Sequence, residues 1–135
     1  MTLHVTHTTR IRDLQWKFNR LYPYLKIEFF SKPHGWSQRT GDAFRFNPDF
    51  RIHTIQKKDV ALRTLSLHPW EKTGDVEQEL GTHYGLYVQI FRRQGYHWIE
   101  TAGTDELTLD EQNEIGKTSL QQRTGSLWIE REVLL

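Results

Sequence analysis

Seven histidines are the first residues with the chemistry for metal binding or proton transfer: His4, His7, His34, His53, His68, His83 and His97. A metal site needs several of them to converge. His4 and His7 are three apart, which puts them on opposite faces of a strand, and the chain has no HExxH or HxH motif. The spacing therefore predicts no metal and no cofactor. An enzyme that uses His68 or His97 with a nearby carboxylate stays a minor alternative.

The sequence contains no motif for nucleophilic catalysis or phosphate transfer. The chain has no cysteine, which excludes thiolate catalysis, cysteine-ligated zinc and disulfides. No serine lies in a GxSxG turn. Gly116-Lys117-Thr118 resembles the end of a phosphate-binding loop, but that loop needs a glycine where this chain has Glu111. We predict no catalytic residues.

A more informative pattern lies on two segments with alternating apolar residues. If Leu25, Ile27 and Phe29 face the helices of the domain, then Lys26 and Phe30 face away from them. The second segment likewise turns Tyr87 and Phe91 outward. Aromatic side chains on an open sheet can stack on the bases of RNA. The interpretation that we favour is that the middle of the chain or a second copy of the protein covers this face.

A second group of candidate residues lies in the middle of the chain, where basic side chains alternate with Phe44, Phe46 and Phe50. Such mixtures are typical of single-strand nucleic-acid binding. The candidate binding residues from both patterns are Phe30, Tyr87, Phe91, Lys26, Arg45, Arg51, Lys57 and Lys58.

The distribution of charge favours protein contact over nucleic acid. Residues 1–63 carry twelve basic and five acidic side chains, a net charge of +7, whereas residues 64–135 carry six and twelve, a net charge of −6. Nucleic-acid-binding domains are usually basic overall, but the isoelectric point here is about 8.1. The asymmetry suits pairing between the basic half of one copy and the acidic half of another.

The elements that must position these residues follow from hydrophobic periodicity. Ile11, Leu14 and Phe18 predict an amphipathic helix between two strands. The spacing of Val76, Leu80 and Tyr84 predicts a second helix, with Gly85 as its end. Thr108 and Glu111 form a capping box for a helix from Leu109 to about Lys117. A last strand is predicted from Leu127 to Val133.

The predicted organisation is a single domain over residues 1–135. It comprises a β-α-β unit (1–31), an irregular aromatic and basic insert (32–58), a second β-α-β unit (59–93), and a hairpin, helix and last strand (94–135). The two units align at an offset of 61 or 62 residues, through duplication or through the coincidence of alternating elements. The predicted fold class is α+β, a two-layer sandwich, with a ferredoxin-like core as the first specific expectation.

The stretch GLYVQIFRRQGYHWIETAGTDELTLDEQN resembles a group of short bacterial proteins without an assigned function. The resemblance covers the C-terminal half to two thirds of the chain and implies no site residues. Because no apolar run approaches the ~20 residues of a membrane span, we expect a soluble cytoplasmic protein. We expect it to be a non-enzymatic association module that forms a homodimer, with nucleic-acid binding as the alternative.

Overall fold

The computed structural model describes the backbone of residues 2–33 and 41–134, and the side chains of those residues as far as 121. The strands are β1 (Thr2–His4), β2 (Leu25–Phe30), β3 (Thr64–Ser66), β4 (Tyr87–Gln94) and β5 (His97–Glu100). The helices are α1 (Ile11–Leu21), α2 (Ile52–Ile55), α3 (Thr73–Tyr84) and α4 (Leu109–Leu134). His34 and the rest of 34–40 lie outside the described residues.

The strands form two antiparallel sheets, β1-β3 and β2-β4-β5. The predicted α+β class is confirmed, and the arrangement is compatible with a two-layer sandwich. The strand order differs from a ferredoxin-like core, in which the second and fourth strands are edges. Here β4 lies between β2 and β5, because β2 pairs with β4 along its whole length and the hairpin adds β5 to the other edge of β4.

The two β-α-β units pair with each other about a local two-fold arrangement. In the β1-β3 ladder Leu3 faces Leu65, 62 positions later, and in the β2-β4 ladder Glu28 faces Gln89, 61 positions later. These are the offsets at which the two units align in the sequence. The β1-β3 ladder is centred on such an aligned pair, and the centre of the β2-β4 ladder falls next to one, between the Ile27–Ile90 and Glu28–Gln89 pairs, as expected where two like units meet antiparallel. This geometry favours duplication over coincidence.

Helices α1 and α3 each bury one face against the sheets. Ile11, Leu14 and Phe18 of α1 are buried, and the helix begins where the Arg10 N–H donates to the Asp13 carboxylate at 2.8 Å. Helix α3 buries Val76 and Leu80. Both helices share one core with the inward-facing residues of β2 and β4. Within the described residues, no helix combines the length and the apolar character needed to cross a membrane.

Helix α4 begins at the predicted capping box. The Thr108 N–H donates to the Glu111 carboxylate, and the Glu111 N–H donates to the Thr108 hydroxyl, both at 3.1 Å. The predicted strand from Leu127 to Val133 is wrong, since α4 continues through these residues to Leu134. A short apolar run is compatible with either structure. The Glu and Arg residues that follow it have high helix propensity, which favours the helix.

Candidate functional site

The structure separates the predicted binding residues into two places. Lys26, Phe30, Arg45 and Phe91 come together on the face of the β2-β4-β5 sheet that points away from α1 and α3. We name this group, together with Glu28 and Trp98, the sheet-face cluster. Lys57 and Lys58 lie elsewhere, in a cleft beside the C-terminal end of α3.

The sheet-face cluster is built from cations that lie over aromatic rings. The Lys26 ammonium is 5.1 Å from the centre of the Phe91 ring and 5.3 Å from that of Trp98. The Arg45 guanidinium is 5.9 Å from the Phe30 ring and 5.7 Å from the Phe91 ring. Arg45 reaches this position because its backbone forms a bridge with Phe30 at the edge of β2. Each contact is an attractive cation–π interaction.

Carboxylates occupy the same cluster. The Glu28 carboxylate is 3.5 Å from the Lys26 ammonium and 3.9 Å from the Arg45 guanidinium. Arg45 also contacts Asp42 at 2.8 Å, and the Gln15 side chain donates to Glu28 at 3.1 Å. The cations of this face are therefore paired within the chain. They retain little net attraction for an external anion.

Burial removes two of the three rings of the cluster, Phe30 and Phe91, from stacking with a ligand. Phe30 is 2% exposed and Phe91 is 6% exposed. A shallow depression of about 610 Å³ remains beside Lys26, Arg45, Phe91 and Trp98. Base recognition on a sheet needs exposed rings, so the burial of these two weighs against the nucleic-acid alternative at this face.

Two predicted residues join neither group. Tyr87 pairs with Phe30 in the ladder, but its ring lies beside Gly81 of α3, with Cδ1 3.6 Å from where a Cβ at that glycine would stand. Arg51 precedes α2 and forms a backbone bridge with Arg10.

The second place is a cleft of about 650 Å³ between the end of β1 and the segment 56–63. We name it the basic cleft. Its apolar lining is Val5, Val60, Ala61 and Leu62, and its basic lining is His7, His53, Lys57, Lys58 and Arg63. Asp59 is the one carboxylate residue among the described residues that line it. The cleft has the volume typical of a ligand or peptide-anchor site.

The C-terminal end of α3 holds the basic cleft in shape. Gly85 ends α3 with φ +66°, and a Cβ there would stand 2.5 Å from the Lys58 backbone nitrogen. A glycine therefore permits both the left-handed conformation and the close approach of the 57–58 segment. The Lys57 N–H donates to the Gly85 carbonyl at 2.9 Å. The Lys58 ammonium donates to the Thr82 carbonyl, where a cation also complements the helix dipole.

The exposed cations of the basic cleft differ from those of the sheet-face cluster in having no acidic partner in the part of the chain that the structure describes. Within the described part of the chain, no carboxylate lies within ion-pair distance of Lys57, Lys58 or Arg63. Lys57 and Arg63 are both exposed. Their charge is available to an anionic group supplied from outside.

The opposite end of α3 carries the reverse charge. Here the start of α4 packs on the segment before α3. The Asp110 N–H donates to the Pro69 carbonyl and the Leu109 N–H donates to the Glu71 carbonyl, both at 3.0 Å. We name this region the acidic end. Its carboxylate residues are Glu71, Asp75, Glu106, Asp110 and Glu111. Lys72 offsets one of them, through a contact of 2.8 Å with Glu106 that raises the Lys72 pKa.

Tyr22 lies close enough to the acidic end for two of its carboxylates to affect the Tyr22 pKa. Burial is the main cause that raises the pKa of its hydroxyl above 10.0, and the nearby charges of Asp110 and Glu71 raise it further. A negative potential disfavours the phenolate. The carboxylates of this end therefore act together on a buried neighbour.

An exposed aromatic pair lies in the segment that leads into the acidic end. Trp70 is 70% exposed and stacks on His68 with ring centres 4.5 Å apart and planes within 6°. The pair belongs to the same segment, 68–71, on which α4 begins. An aromatic side chain ringed by charge is typical of an interface anchor.

The sequence did not single out Trp70, His7, His53 or Arg63 as a group. The charge pattern indicates a basic N-terminal half, but not the cleft in which five of its residues meet, His7, His53, Lys57, Lys58 and Arg63. Arg63 reaches this cleft because its carbonyl accepts from the Val5 N–H at 2.8 Å. That long-range pairing has no local signal in the sequence.

The minor alternative of a histidine enzyme gains no support. The ring of His68 stacks on Trp70, and the Glu71 carboxylate accepts from the His68 backbone N–H at 3.0 Å. Among the described residues no three His, Asp or Glu side chains form a group that could hold a metal ion. His7 and His53 approach each other, with ring centres 5.1 Å apart, but no third ligand from the described residues joins them.

Comparison with known proteins returns no match: no family model fits the chain, and neither a curated protein nor a solved structure is similar to it. The resemblance of the C-terminal stretch to short bacterial proteins stays a prediction.

Proposed function

We propose that the protein is a non-enzymatic, cytoplasmic association module whose basic cleft binds an acidic protein surface, in the first place that of a second copy of the chain. The observation that carries this proposal is that no described residue is an acidic partner of Lys57, Lys58 or Arg63. Unpaired cations around an apolar floor favour a partner that supplies both carboxylates and apolar contact.

The polarity of the molecule supports self-association. The chain leaves the cleft at Arg63, reaches the acidic end at Trp70 and returns along α3. The twelve residues of α3 correspond to about 18 Å at 1.5 Å per residue. Opposite charges thus lie at the two ends of one rigid element. Two copies side by side and antiparallel would place each basic cleft beside an acidic end.

The test is the molar mass by light scattering at low and high salt, for the wild type and two double variants. Lys57→Glu with Arg63→Glu reverses two charges in the cleft, whereas Lys17→Glu with Arg20→Glu makes the same change of charge on α1. We expect a dimer for the wild type and the α1 variant, and a monomer for the cleft variant. Salt should weaken the dimer because it screens exposed charges.

Two results would contradict the proposal. A wild type that stays monomeric at high concentration in both salts would remove self-association. A cleft variant as dimeric as the wild type would place the contact elsewhere.

Single-stranded nucleic acid is the competing occupant of the cleft. An oligonucleotide that binds the wild type at ~50 mM salt, where the phosphate contribution is strong, and fails to bind the cleft variant would favour that occupant. No Phe, Tyr or Trp is among the described residues that line the cleft, and stacking on such rings supplies much of the affinity for single strands. We therefore expect no such binding.

A further inference from the structure

Trp70 is the most exposed of the large hydrophobic side chains that the structure describes. Large aromatic residues usually gain most of their stabilising effect from burial, but this ring is 70% exposed. Its stacking on His68 covers one face and fixes its orientation. A pre-oriented ring loses little conformational entropy when a partner binds it.

The surroundings of Trp70 are complementary to the basic cleft: the charges are opposite, and both regions have an apolar centre. Its neighbours Glu71 and Asp110 are acidic, and the rim of the cleft is basic. The floor of the cleft is apolar, formed by Val5, Val60, Ala61 and Leu62, and its volume of about 650 Å³ leaves room for an indole ring. Val60 is 37% exposed in the monomer. Trp70, an apolar side chain beside acidic residues, is therefore complementary to the basic cleft, whose apolar floor is surrounded by basic residues.

We propose that Trp70 of one copy enters the basic cleft of a second copy, and that the second copy returns the same contact, which closes an antiparallel dimer. This inference rests on the proposed function, because it names the residue that fills the proposed site. The two contacts form at once since the anchor and the cleft lie at opposite ends of α3. Such an interface is isologous and does not continue into a filament.

The experiment is sedimentation equilibrium of four variants beside the wild type, with circular dichroism to confirm that each is folded. Trp70→Ala removes the anchor, and Trp70→Phe keeps a smaller one. The matched control is Trp16→Ala, since Trp16 is also exposed, at 60%, and lies beside Arg20 on α1. The fourth variant is the cleft double variant, Lys57→Glu with Arg63→Glu.

We expect Trp70→Ala to raise the dimer dissociation constant at least tenfold, as is typical of an aromatic hot spot. Trp70→Phe should give an intermediate rise, and Trp16→Ala no change. Mixing Trp70→Ala with the cleft variant restores one complete contact, from the intact Trp70 of one chain to the intact cleft of the other. The mixture should therefore form heterodimers more tightly than either variant dimerises alone.

The outcomes separate this inference from the proposed function. If Trp70→Ala dimerises like the wild type while the cleft variant does not, the cleft is the interface but Trp70 is not its anchor. If the mixture gains no affinity, the reciprocal contact is wrong. A wild type that is monomeric under all conditions overturns both proposals. Growth into a ladder of higher oligomers would contradict the closed dimer.

Discussion

The sheet-face cluster and the basic cleft both place cations on an apolar floor, but these cations have different neighbours. In the sheet-face cluster Glu28 and Asp42 pair with Lys26 and Arg45, and the rings beneath are buried. In the basic cleft Lys57 and Arg63 are exposed and have no carboxylate within ion-pair distance among the described residues. The first arrangement stabilises the fold, whereas the second leaves charge available for a partner.

The largest expected effect comes from the floor of the sheet-face cluster. Phe91→Ala removes a ring that is 6% exposed and should lower the free energy of unfolding by about 3–5 kcal/mol, through lost burial and a residual cavity. Chemical denaturation measures this change. Phe50→Ala is the matched control, since that ring is 47% exposed, and should cost less than about 1 kcal/mol. Equal losses from the two substitutions would show that the cluster is not a structural core.

The next effect lies at the join between α3 and the basic cleft. Gly85→Ala forces a side chain into a positive-φ position and against the Lys57–Lys58 backbone, 2.5–3.0 Å away. We expect a loss of about 1–3 kcal/mol of folding stability together with weaker dimerisation, because the 57–58 segment must move.

Gly103→Ala is the control for this substitution, since a Cβ there meets nothing within 4 Å. Denaturation and light scattering should both leave the control near the wild type. If the Gly85→Ala protein is destabilised but dimerises like the wild type, the shape of the basic cleft does not determine dimerisation.

A crossed pair of arginine substitutions sharpens the comparison. Arg45→Ala leaves Glu28 and Asp42 with fewer partners and should cost about 1 kcal/mol of stability, a modest value because Arg45 is partly exposed. Dimerisation should be unchanged. Arg63→Ala should change stability by less than about 0.5 kcal/mol and weaken the dimer. Chemical denaturation measures the stability of both variants, and sedimentation equilibrium measures their dimerisation. If Arg45→Ala weakened the dimer and Arg63→Ala lowered the stability, the roles of the two regions would be exchanged.

The smallest effect concerns Tyr22 at the acidic end. Its pKa is raised in the folded protein, first by burial and then by Asp110 and Glu71, so the neutral phenol is favoured in the fold. The stability that this shift provides is complete below pH ~10 and is lost as the pH rises through the folded-state pKa. Tyr22→Phe should lose less stability at alkaline pH, as measured by denaturation across that range. Asp110→Asn should lower the pKa of Tyr22 in an ultraviolet titration. An unchanged pKa would show that the charge of Asp110 does not act on Tyr22.

The parts of this fold that the sequence predicts are those with local causes. The stripe of Ile11, Leu14 and Phe18 defines α1, Gly85 ends α3, and Thr108 with Glu111 begins α4. Each depends on residues within a few positions of one another, so a pattern in the sequence is sufficient.

The parts of the site that the sequence does not predict depend on distant partners. The interactions of Arg45 with Phe30 and Glu28 follow from a strand-edge bridge, and the sequence grouped Arg45 with Lys57 because both lie in the basic half. The burial of Phe30 and Phe91 likewise depends on which residues cover the sheet. The cleft itself results from the approach of Val5 to Arg63, 58 positions apart.

Hydrogen–deuterium exchange of the wild type at increasing protein concentration tests the central claim most directly, because it examines both regions in one experiment. We predict that protection will rise with concentration in residues 57–63 and 68–72, at the basic cleft and the acidic end. Protection in residues 26–30 and 97–100 should not change. A rise confined to the sheet-face segments, or no rise anywhere, would contradict the assignment of association to the basic cleft.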